Sequence, residues 1–245
     1  MTDVERGPGL AGQTVVVIGG SAGIGFETAR LARAAGAEVV LTGRDPGRLE
    51  AAVAEVGAQA GAAFDATDPA AMAEFFQGVT TVDHVLITAG GPRYGPLLDM
   101  AADKIREALS DHVVVGLEVA RNAVAKMPPG GSLVLMGGTG GRRVSRALGI
   151  ASAATAALPA FAAALALEIA PVRVNLIAAG FVDTPLSASL LGEHLDDRRA
   201  ELRATLPIGR VVTPADVGAL AVHLMTNTAL TGATYDIDGG QQFVS

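Results

Sequence analysis

The chain has 245 residues, 50% of them hydrophobic and 18% charged, so it can bury one sizeable core and is expected to form a single layered domain. A formal charge of -7 and a pI near 5.1 argue against a nucleic-acid partner, because polyanions are held by basic groups that displace counterions. With no cysteine there is no disulfide and no thiolate metal site, a composition that suits a reducing cytoplasm.

Residues 1–10 contain no apolar run and are expected to be a frayed tail rather than a secretory leader. Thr14–Ile18, TVVVI, is a β-branched run suited to a strand covered on both faces in a parallel sheet. Gly19, Gly23 and Gly25 follow with the spacing G-x-x-x-G-x-G and open a helix predicted over 24–35. Residues without a Cβ let backbone amides approach a pyrophosphate, and the first turn of a helix offers unpaired N–H groups and a positive dipole end. Next come a strand over 38–42, a helix over Pro46–Val56 capped by Asp45, a short strand over 62–64, and a helix from Asp68-Pro69 through Phe76. His84–Ile87 is the fourth strand, and a helix over 102–126 is stopped by Pro128-Pro129-Gly130-Gly131. A strand over 132–136 leads into a glycine run at 137–141. Helix 151–169, strand 172–177, helical spacing over 186–205, helix 214–225 and a strand over 233–237 complete the chain.

Strands alternating with helices indicate an α/β architecture, an open parallel sheet with helices on both faces. The apolar stretch 153–170 is alanine-rich and carries Pro159 and Glu168, which fits a buried or subunit-interface helix better than a membrane span. In such sheets ligands sit at the carboxyl ends of the strands, which selects the segments 19–25, 43–44, 89–91, 137–141 and 178–185. A carboxylate ending strand two would hold a ribose 2′-hydroxyl and repel a 2′-phosphate. The chain has Thr42-Gly43-Arg44 there, so a 2′-phosphate is favoured, which for a nicotinamide dinucleotide would mean NADP(H) over NAD(H), and Ser21 can add a hydroxyl to the same phosphate.

These residues resemble the short-chain dehydrogenase/reductase family over nearly the whole chain. The matches are Leu10-Ala11-Gly12, Gly19-x-x-x-Gly23-Ile24-Gly25, Asp65, Ala89-Gly90, Arg173-Val174-Asn175, Gly180-x-x-x-Thr184 and Asp238-Gly239-Gly240. The resemblance implies a Rossmann-type doubly wound fold that holds a nicotinamide dinucleotide. On that likeness the cofactor set is Gly19, Ser21, Ala22, Gly23, Ile24, Gly25, Arg44, Asp65, Ala66, Ala89, Gly90, Gly180, Val182 and Thr184, with Asp65 near the adenine and Val182 and Thr184 near the nicotinamide amide. It further implies a homodimer or homotetramer through the alanine-rich helix, and a cover for the substrate cleft over 186–205.

The family's chemistry rests on an Asn, a Ser, a Tyr and a Lys, and none of the four expected positions is filled. The serine position falls on Gly138, the Tyr-x-x-x-Lys pair on Ala151 and Thr155, and the helix asparagine on His112 or Val113. Strand four ends Ile87-Thr88-Ala89-Gly90 without the usual asparagines, and Ala179 replaces a proline. Hydride delivered to a carbonyl leaves an alkoxide that needs a proton donor, and alanine has no proton to give. Losing a general acid costs about 10²–10⁴ in rate, so ordinary carbonyl reduction is not expected. Tyr94, His112, Arg142, Arg143 and Ser145 are possible substitutes, but each has a plainer role: loop packing for the tyrosine, a hydrogen-bonded helix position for the histidine, solvated surface for the arginines. His223 is expected beside the core, His84 and His194 lack ligand spacing, and no metal site is legible. Two functions remain: a cofactor-dependent binding or regulatory protein for an unknown small molecule, or an active NADPH-dependent or non-redox enzyme with a different proton donor.

Overall fold

The computed structural model describes residues 9–142, 144, 146 and 148–244. Most of the expected tail, together with Arg143 and Ser145, lies outside the described residues. Leu10 does not belong to a tail: it is fully buried, and its backbone N–H donates to Ala35 O at 3.0 Å.

The β-branched run becomes β1 (Thr14–Ile18), the strand at which chain order reverses in a seven-stranded parallel sheet. The others are β2 (Glu38–Gly43), β3 (Ala60–Ala63), β4 (His84–Ile87), β5 (Ser132–Gly138), β6 (Arg173–Ala179) and β7 (Thr234–Ile237). Their spatial order is β3-β2-β1-β4-β5-β6-β7, the doubly wound Rossmann arrangement with one further strand. Ile18 pairs with both Thr42 and Ile87, which brings the carboxyl ends of β1, β2 and β4 to one level.

Side chains alternate across each strand and split the core in two. Val16, Ile18, Val85, Leu133, Leu135 and Leu176 face one side, under α3 (Pro69–Gly78), α4 (Ala102–Ala123) and α5 (Gly149–Glu168). Val15, Val17, Leu41, Leu86, Val134 and Ile177 face the other, under α1 (Gly23–Ala34), α2 (Pro46–Val56) and α8 (Pro214–Thr226). Each fully buried branched side chain contributes roughly 1.5–3 kcal/mol relative to exposure. α5 is long and apolar enough by length and composition to cross a membrane, but here Leu158, Ala162 and Leu165 bury one side of it against α4 and the sheet.

The helix caps follow the sequence. Asp45 accepts from Arg48 N at 2.9 Å, Asp68 from Ala70 N at 2.9 Å, and Thr213 and Asp216 form a capping box at α8. Arg173 and Asn175 have a structural task. The guanidinium donates to the carbonyls of Gly130, Leu224, Met225, Asn227 and Leu230, and Asn175 also donates to Leu230 O, which fixes the turn between α8 and β7.

Several boundaries differ from expectation: β5 runs on to Gly138 rather than 136, α5 starts at Gly149 rather than 151, and β6 spans Arg173–Ala179 rather than 172–177. β3 starts two residues earlier than the predicted 62–64, because its register is set by pairing Val40 with Ala60 rather than by its own small side chains. The stretch 186–205 is not one helix. It breaks at Gly192, φ +52°, into α6 (Pro185–Leu191), a 3-10 turn and α7 (Leu195–Thr205).

Candidate functional site

The turn from β1 into α1 is built by backbone. Gly19 N donates to Thr42 Oγ1 at 3.3 Å and Gly20 N to Thr42 O at 2.8 Å, which holds the turn over the end of β2. Gly23 enters α1 at φ +59°, a region that disfavours side chains. A Cβ on Gly25 would lie 2.2 Å from Gly19 O, so only glycine lets the helix seat this close to the strand. Ala22 precedes the helix and gives no side-chain cap, which leaves first-turn N–H groups open to an anion.

At the end of β2, Ser21 packs beside Gly43, where an added Cβ would meet Ser21 Oγ at 3.0 Å. Arg44 follows on the surface, its guanidinium without a hydrogen-bond or ion-pair partner among the described residues. Asp65 accepts from Thr67 N at 2.9 Å and from Thr67 Oγ1 at 2.8 Å. Those bonds, with a smaller contribution from the charge of Arg44, hold its carboxyl below the usual range. Ala66 packs against the core beneath it.

A cavity of about 680 Å³ opens at the carboxyl ends of β4, β5 and β6. It brings together Ile24, Ala89, Gly90, Gly180, Val182 and Thr184 of the expected cofactor set. Gly19, Ser21, Ala22, Gly23, Gly25, Arg44, Asp65 and Ala66 are not in its wall and occupy the ends of β1, β2 and β3. Thr184 joins the two parts: its methyl group is 3.5 Å from where a Cβ on Gly23 would stand. Gly180 is wedged against the C-terminal segment, since a Cβ there would be 2.5 Å from Asp238 Cβ. Asp238 accepts from Gly240 N at 2.8 Å and Gln242 N at 3.0 Å, and Gln241 Oε1 accepts from Phe181 N at 2.7 Å.

Gly138, Ala151 and Thr155 all line this cavity. A Cβ on Gly138 would be 3.5 Å from Thr155 Cγ2, and Thr155 Oγ1 donates back to Ala151 O at 2.9 Å. His112 also lines it, beside Gly90, whose Cβ would meet the imidazole at 3.5 Å, whereas Val113 packs into the core. Burial holds His112 below the ordinary histidine value, against a smaller opposing influence of Asp111, and its Nδ1 is buried without a hydrogen-bond partner. Ser152, 4% exposed, carries a second such atom, Oγ.

Tyr94 lines the cavity but remains 49% exposed, with its phenol pushed up by partial burial. Arg142 is not simply solvated: it forms an ion pair with Asp236 on β7. Nor is His223 tucked beside the core as expected. It lies exposed on α8, like His194 on its 3-10 turn. His84 is a satisfied core histidine, 2.8 Å from Ser132 Oγ and 2.6 Å from Gln13 Oε1. Among the described residues no cluster of three or more His, Asp or Glu side chains could hold a metal ion.

Sequence reasoning missed Ser152, Gln241 and Phe181. Ser152 was hidden in an alanine run, with only its polarity to mark it. The other two act through a contact between β6 and the C-terminus that no local pattern encodes.

The residues present fit a dinucleotide: a glycine turn that a Cβ would fill, an uncapped helix start, a surface arginine that follows the glycine packed on Ser21, and a cavity continuing from them. They offer no fixed positive charge at the positions of Gly138, Ala151 and Thr155.

Comparison with known proteins agrees with this geometry. A family model described as Enoyl-(Acyl carrier protein) reductase matches residues 19–242. Carbonyl reductase family member 4 of Xenopus tropicalis is 30% identical over 234 residues, covering 92% of this chain and 96% of the relative. A short-chain type dehydrogenase/reductase from Mycobacterium ulcerans superimposes with TM-score 0.87 at 28% identity, over 96% of this chain and 92% of the other. A small-chain dehydrogenase solved in complex with NADPH gives TM-score 0.82 at 25% identity, over 94% of this chain and 99% of that one.

Proposed function

The chain belongs to the short-chain dehydrogenase/reductase family, and on that premise we propose that it binds NADP(H) along the ends of β1, β2 and β4 but does not carry out ordinary carbonyl reduction. The observation that carries the reading is the meeting of Gly138, Ala151 and Thr155 in one cavity wall, with the only hydroxyl of the three turned back onto its own helix. Oxidoreductase likeness is therefore a matter of family, while the binding function rests on this chain's own residues.

The turn 19–25 would hold the pyrophosphate at the start of α1, and Asp65 with Ala66 would border the adenine. Ala89, Gly90, Gly180, Val182 and Thr184 would border the nicotinamide. When bound, the dinucleotide supplies a hydride. Arg44 and Ser21 select the 2′-phosphate by charge and hydrogen bonding, a choice supported by the solved relative that holds NADPH. Leu186, Leu190, Leu191 and Arg198, from the segment 186–205, wall the cavity and would cover a second small molecule. Leu109 and Val114 on α4 and Leu167 on α5 stay exposed, as an interface between copies through these helices would require.

Arg44→Glu tests the cofactor assignment. The variant is expected to lose its preference for NADPH over NADH by tenfold or more in binding titrations, and an unchanged preference would refute the role given to Arg44. One observation favours a second reading, turnover by another route: His112 stands in the cavity with a free ring nitrogen. A reaction that takes its proton from water, or that moves no hydride, is compatible with such a residue.

A further inference from the structure

His112 and Ser152 both line the cavity, and His112 Nδ1 and Ser152 Oγ are buried with no hydrogen-bond partner among the described residues. Buried polar groups are nearly always satisfied, so a pair of unsatisfied ones in one cavity points to a ligand. Thr155 is not part of this pair, because its hydroxyl is engaged by Ala151 O. Ser152 is held in place by α5, its backbone N–H donating to Leu148 O at 2.8 Å, and its Oγ lies 3.8 Å from where a Cβ on Gly140 would be.

The rest of the lining specifies the remainder of the ligand. Arg198 is the only Lys, Arg, Asp or Glu in the described wall, and it is paired with Glu201 at 2.7 Å. Met136, Leu148, Phe181, Leu186, Leu190 and Leu191 supply an apolar surface, of which Leu186 and Leu190 are still about half exposed (48% and 46%) and would be covered by an occupant. A neutral imidazole has one donor and one acceptor nitrogen, and a serine hydroxyl serves as either. Such a pair suits an uncharged group that both gives and takes hydrogen bonds, whereas a carboxylate would meet only Arg198, already paired with Glu201, and an ammonium would meet no carboxylate in the described wall.

We propose that the cavity binds, beside the dinucleotide, an elongated apolar molecule with one uncharged polar head of the amide or alcohol class, and that Ser152 and His112 hold that head. This rests on the reading that NADP(H) occupies the adjoining cleft. It names the class of molecule that the same cleft accepts.

The test titrates octanamide, octanoate and octylamine into the NADPH-saturated protein by calorimetry. Octanamide is expected to bind at least tenfold more tightly than either charged analogue. Ser152→Ala and His112→Phe are each expected to weaken it tenfold or more while keeping the rise in melting temperature with NADPH. Equal or tighter binding of octanoate or octylamine, or no binding of octanamide, would overturn the proposal, as would undiminished octanamide binding by both variants. If NADPH itself gives no rise in melting temperature, the dinucleotide reading fails separately, and the same titrations on the free chain decide the head-group proposal.

Discussion

The turn from β1 into α1 and the wall between β5 and α5 lie at the same edge of the sheet, yet they work by different means. The first acts through backbone: its glycines are dictated by φ angles and by a 2.2 Å clash that a side chain would make. The second, on the proposed reading, is where the family's chemistry would depend on side chains, and that reading puts Gly138, Ala151 and Thr155 at those positions. A site made of backbone geometry persists with the fold, whereas a proton relay would be lost with three substitutions that leave strand and helix intact. If the proposed reading holds, binding and chemistry are separable in this architecture.

The strongest way to break that contrast is to rebuild the relay. Gly138 is extended, φ -139°, with its nearest neighbours at 3.5 Å, so a serine fits there. The triple variant Gly138→Ser, Ala151→Tyr, Thr155→Lys is expected to gain NADPH-dependent ketone reduction by about 10²–10⁴ over the parent, followed at 340 nm. No gain would mean that the cleft differs from its relatives in more than side chains.

The reverse test damages the cradle. Gly25→Ala forces α1 away from Gly19 O and is expected to cost about 1–3 kcal/mol, lowering the melting temperature by about 2–4 °C for each kcal/mol. It is also expected to abolish the stabilisation by NADPH. An unchanged melting curve would show that the close seating of α1 is unimportant.

The smallest effect concerns His112, which burial holds below the ordinary value of 6.5. Between that value and the folded one, the unfolded chain binds more protons than the folded chain. The contribution of a neutral His112 is therefore full above the ordinary value and is lost as pH falls through the folded value. His112→Phe is expected to flatten this part of the acid sensitivity, measured as the change in urea midpoint from neutral pH to about pH 5. An equal slope in both proteins would show that His112 is not held neutral by its surroundings.

Much of this was legible in the sequence, for physical reasons. The β-branched run of β1, the capping acids before Pro46 and Pro69 and the glycine spacing at 19–25 are local patterns with local causes, and the structure reproduces them. The break at Gly192 was not legible, because residues 186–205 keep helical composition across it. The burial of Leu10, the pairing of Arg142 with Asp236 and the exposure of His223 depend on elements distant in sequence. The two alternatives for the helix asparagine differ in direction, which the sequence does not display: His112 lines the cavity and Val113 packs against the core. Ser152 shows the limit most clearly: its buried hydroxyl has no partner among the described residues, which a sequence does not display.

The central claim, a cofactor cleft without the family's proton donor, is tested most directly by following absorbance at 340 nm in the NADPH-saturated protein while a panel of simple ketones is added. A melting temperature that rises with NADPH together with a flat absorbance trace is the predicted result. Consumption of NADPH by ketones at rates ordinary for enzymes, with kcat near about 10 s⁻¹, would contradict it.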